Sequence, residues 1–71
     1  MIMPGDIGLV AQLLTKLLGY AVDADGYSQW SRDRKLVRLM EGVDASILAH
    51  DETAMDVLLA EYRVILLQQG P

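Results

Sequence analysis

The sequence predicts an all-α fold, and three observations predict it. No segment sustains the alternation of apolar and polar residues that a half-buried strand requires, whereas three segments repeat apolar residues at helical spacing. The breaks between them carry helix-boundary chemistry: Asp23–Tyr27 (DADGY) at the first, His50–Thr53 at the second. Both breaks are short, which makes successive helices antiparallel neighbours. The expected architecture is a three-helix antiparallel bundle, or a helical hairpin with an extra N-terminal helix, assembled as a homo-oligomer.

The first helix is expected over residues 7–22, after a tail at 1–5 in which Pro4 and Gly5 discourage helix; the stretch MIMPGDIG lacks the basic n-region of a secretory signal and has an Asp before the apolar run. Asp6 is placed to cap it. Its apolar residues cover well over half of the helical wheel, and Gln12, Thr15 and Lys16 form a narrow polar strip. At about 16 residues this stretch is shorter than the roughly 20 that span a bilayer.

Asp23–Tyr27 reads as a turn, since Asp and Gly tolerate unusual backbone angles. The D-x-D-G pattern is also part of a calcium loop. Aligning Gly26 with the invariant loop glycine puts Ala21 at the first ligand position and Arg32 at the last. Neither supplies the required carboxylate, so no metal is expected.

The second helix is expected over 29–49, capped by Ser28 or Ser31. Leu36, Met40, Val43 and Ile47 step by four, three and four, a heptad-like seam. Gly42 inside it costs roughly 1 kcal/mol against Ala and marks either a close helix approach or nothing. Arg34, Lys35 and Arg38 share the opposite face, with Arg32 at its edge. Asp44 sits at the edge of the apolar arc, and Arg63 sits similarly in the next helix. They either pair across helices or reach solvent.

The third helix is expected over 53–68, with Thr53-Ala-Met-Asp56 as a capping box and 69–71 as a tail. It carries apolar residues on two faces. Met55, Leu58, Leu59, Tyr62, Ile65 and Leu66 make one stripe; Val57, Ala60, Val64 and Leu67 make the second. A surface helix needs only one. The second stripe is therefore expected at a contact between chains.

Composition narrows the function classes. A single domain of 71 residues buries little core and usually needs a staple, yet there is no cysteine, and one histidine makes no closed zinc site. Partner chains remain as support. A net charge of −4 argues against binding to phosphate backbones, which leaves the basic face of the second helix best read as a solvated face. His50 has no nucleophile partner at a recognisable spacing, and no phosphate loop, nucleophile elbow or H-E-x-x-H occurs. Catalysis and cofactors are not expected. Tyr20, Tyr27 and Trp30 cluster near the first break, as a plug at the bundle end or a binding anchor.

The function expected is that of a small non-enzymatic interaction module, in the cytosol by default, that self-associates and binds another protein. The candidate surface is Val57, Ala60, Val64 and Leu67, with Arg34, Lys35, Arg38 and Trp30. The alternative is a membrane-surface protein using the wide apolar face of the first helix, although Lys16 is its only interior charge. Nucleic-acid binding through the second helix is a distant third.

Overall fold

The structure is a computed structural model and describes residues 6–68. The expected tails at 1–5 and 69–71 lie outside them. Four helices follow in order: α1 (Ile7–Leu18), α2 (Ala24–Gln29), α3 (Arg32–Leu48) and α4 (Glu52–Leu67), with no strand among the described residues. The all-α expectation is met. The count of three is corrected to four.

α1 begins as expected: the Asp6 side chain accepts a hydrogen bond from the Leu9 N–H at 3.1 Å. It ends at Leu18, four residues before the expected end. Gly19 takes the left-handed conformation (φ 82°), and its N–H donates to the Thr15 carbonyl. A glycine in that conformation closes a helix without a Cβ penalty. Thr15, read from the sequence as polar strip, instead ties down the returning chain. Its hydroxyl oxygen accepts from the Val22 N–H at 2.8 Å. Its single proton faces the carbonyls of Ala11 (3.0 Å) and Val22 (2.8 Å). This clamp seats Val22 in the core.

α2 occupies the stretch expected to be a turn. Asp23 is its N-cap, accepting from the Gly26 N–H at 2.6 Å, and Asp25 adds negative charge to the first turn. The same residues that read as turn formers therefore start a helix. It carries Tyr27 inward, fully buried.

α3 starts after Ser31, whose hydroxyl accepts from the Arg34 N–H at 3.2 Å. Trp30 lies before it in extended backbone rather than inside the helix. The break before α4 falls where expected, but its chemistry differs. His50 stands in the left-handed region at φ 57°. Its N–H donates to the Ile47 carbonyl at 3.1 Å, and the Asp51 N–H reaches back to Ser46 at 2.9 Å. These two bonds make a Schellman motif, with histidine where glycine is usual. The cap of α4 is Asp51, accepting from the Ala54 N–H at 3.1 Å, and not Thr53, which lies exposed in the first turn.

α3 and α4 fold back on each other and make the most extensive helix pair; α1 lies mainly on α3 and touches α4 less. The buried face of α3 is Leu39, Gly42, Val43 and Ser46. Only Val43 belongs to the expected seam. The reason is visible at Gly42, where a Cβ would stand 2.9 Å from both Leu14 Cδ2 and Leu58 Cδ1. Small residues let three helices meet there. Ser46 is also small, and its hydroxyl donates to the Val43 carbonyl at 2.7 Å, so burial leaves it satisfied. Close approach over an extended contact outweighs the burial of a few larger side chains.

Candidate interaction surface

Turning the small-residue face of α3 inward leaves the large one outside. Leu36 and Tyr62 are half-buried, while Val37 and Ile47 are 55% exposed and Leu48 83%. Leu36, Val37, Met40, Glu41, Asp44 and Tyr62 line a shallow groove between α3 and α4. Toward the His50 turn, Ile47 and Met55 line a second hollow with Ser46, His50, Asp51 and Glu52. On α4 the residues Met55, Leu59, Tyr62 and Leu66 repeat at four, three and four, giving one apolar edge along this side. No residue of α1 lines either hollow.

The charges beside this face are uneven. Asp33 and Asp44 on α3, and Glu52 and Asp56 on α4, are exposed and outside every ion pair among the described residues. Glu41 is held by Arg38, whose Nη1 stands 2.9 Å and 3.2 Å from the two carboxylate oxygens. Arg63 is exposed and makes no ion pair among the described residues; of the two readings for Arg63 and Asp44, pairing across helices or reaching solvent, the second is the one seen.

The second stripe of α4 is only partly covered. Val57 and Val64 are half-buried, with Val57 packed against the core; Ala60 is exposed and Leu67 is 84% exposed.

The basic cluster is divided among intrachain contacts. The Arg34 guanidinium lies 5.2 Å from the centre of the Trp30 ring, and the Lys35 ammonium lies 5.2 Å from that of Tyr27. Both are within cation–π range. The two rings are tilted at 57° with centroids 5.5 Å apart. Of the expected aromatic plug, Tyr27 is fully buried, Trp30 is half-buried and Tyr20 is 43% exposed.

Beneath them is a feature that sequence reasoning missed. The Tyr27 hydroxyl donates to Glu61 Oε2 at 3.0 Å, and Glu61 is only 8% exposed. Its Oε1 is buried without a hydrogen-bond partner among the described residues. Burial pushes the tyrosine hydroxyl well above its ordinary range, and the neighbouring carboxylate adds to the shift. A signal existed: Ala54, Leu58, Glu61 and Ile65 repeat at four, three and four, so the buried stripe runs through Glu61.

No group of three or more histidine, aspartate or glutamate residues placed to hold a metal ion occurs among the described residues. No described helix is long and apolar enough to cross a membrane. The chain matches no family model, no curated protein and no solved structure.

Proposed function

We propose that this chain is a small, non-enzymatic helical interaction module that works by contact with other protein chains. The observation that carries the reading is the apolar outer face of α3 and α4. Val37, Ile47 and Leu48, each more than half exposed, continue into a groove floored by Leu36 and Tyr62. Contiguous apolar surface of this kind marks contact sites. The residual stripe of α4 supports self-association as well: Ala60 and Leu67 are exposed beside the half-covered Val64.

Protein contact is favoured over a membrane surface because α1, the helix that would lie on lipid, has its central residues Val10, Ala11 and Leu14 in the core. Nucleic acid is disfavoured because Arg34, Lys35 and Arg38 are engaged within the chain and the net charge is −4.

Light scattering over a wide concentration range tests the self-association. The wild type is expected to exceed the monomer mass, and Val64→Glu to return it to the folded monomer. Val64 is half-buried and outside the core cluster, and circular dichroism checks that the variant stays folded. A wild type that stays monomeric at millimolar concentration removes self-association from the proposal.

A further inference from the structure

We propose that the outer face of the α3–α4 hairpin is a docking groove for an amphipathic helix whose apolar stripe is flanked by lysine and arginine. The proposal rests on the interaction-module reading and adds the chemistry of the partner.

The shape argues for a helix. Two packed helices leave a groove between them, and the side chains of a third helix fit into it. The apolar part of α3 runs from Val37 to Leu48, a length of about 17 Å at 1.5 Å per residue. That matches about three turns of partner helix, with apolar anchors at i, i+3 or i+4, and i+7.

The charges argue for the sign. Asp44 lines the groove and Glu52 the second hollow, Asp33 lies one turn before Val37 on α3 and Asp56 one turn after Glu52 on α4; all four are exposed and outside every ion pair among the described residues, against Arg63, the one basic residue of α4. A second copy of the chain docked by the same face repeats the same residues across a two-fold axis, so acidic rim meets acidic rim. Like charges brought together in this way disfavour the contact. An anionic bilayer surface is repelled for the same reason. A helix with basic flanks covers the apolar groove and neutralises the carboxylates together.

The test uses the full chain and two fluorescent helical peptides with the same leucine stripe, one flanked by Lys and Arg and the other by Glu. Anisotropy titrations should show the basic peptide binding at least tenfold more tightly, with affinity falling as salt rises. Ile47→Lys should weaken it at least tenfold; Ile47 is 55% exposed, and circular dichroism checks that the variant stays folded. The double variant Asp44→Asn, Asp56→Asn should weaken it several-fold and flatten the salt dependence. Equal binding of the two peptides overturns the proposal, as does basic-peptide binding indifferent to Ile47→Lys. Self-association abolished by Ile47→Lys also overturns it, by giving the groove to a second copy while leaving the module reading intact. A chain that binds neither peptide and stays monomeric sinks both readings.

Discussion

The two sides of α3 make opposite use of side-chain size. The inner side has Leu39, Gly42, Val43 and Ser46, two of them small, and it forms the centre of the molecule. The outer side has Val37, Met40, Ile47 and Leu48, none of them small, and it faces solvent. Apolar bulk alone would have reversed the arrangement. The helix instead buries the side on which two neighbours come closest. The difference separates what this fold needs for stability from what it leaves free for contact.

The largest effect that sharpens this contrast is Leu39→Ala. Leu39 is fully buried, and its truncation should cost about 2–5 kcal/mol in urea unfolding. The matching outer change, Ile47→Ala, should stay within about 0.5 kcal/mol. Comparable losses at the two positions would break the comparison.

Gly42→Val comes next. Its Cβ must push against Leu14 and Leu58, both themselves fully buried, and neither can move aside cheaply. A loss of about 1–3 kcal/mol is expected from overpacking, despite the better helix propensity of valine. A thermal melt that rises in the variant would show that α1 and α4 are not held close at Gly42.

Tyr27→Phe probes the polar pair within the core. The change leaves Glu61 with no hydrogen bond to either oxygen, at a cost of about 1–3 kcal/mol at neutral pH. It also alters the alkaline limb. Folding raises the tyrosine pKa, so the folded state keeps the proton that the unfolded state loses. The stability this contributes is fully present below the unfolded value of about 10 and declines above it, by up to about 1.4 kcal/mol per pH unit. Stability curves from pH 9 to 11.5 should be flatter for the variant. Parallel curves would mean that the hydroxyl is not sequestered.

The smallest effect has the opposite sign. His50→Gly removes the Cβ from a left-handed residue and should raise stability by about 0.5–1 kcal/mol. An unchanged or lower melting temperature would place the turn's stability in the histidine side chain.

Local chemistry was legible in the sequence. The cap at Asp6, the offer of Ser31 as a cap and the break near residue 50 follow from short-range rules, and all stand in the structure. The six-residue α2 was not, because one and a half turns carry too few positions for a period to emerge. The rotation of α3 escaped for a different reason. Hydrophobic patterns score large side chains, whereas the contact here depends on the absence of a Cβ. Tyr27 and Glu61 are far apart in the chain, and only the packed fold brings them together. Of the candidate surface, the exposed Leu67 and Ala60 were among the residues named in advance, while the outer face of α3 was read as core.

The meeting of Leu14 with Gly42 and Leu58 has a consequence in time. Synthesis delivers α1 well before the surfaces that cover it. Leu58 follows Leu14 by 44 residues, so at about 5–20 residues per second the wait is roughly 2–9 seconds. During that interval Val10, Leu14 and their neighbours can pack on α2 and then on α3, but the α4 side chains that complete their cover are still missing. The α3–α4 hairpin has no such delay, since its contacts are local and its turn closes on itself. The newborn chain is therefore most vulnerable to wrong association at its first helix, although the finished protein presents its apolar surface on the last two.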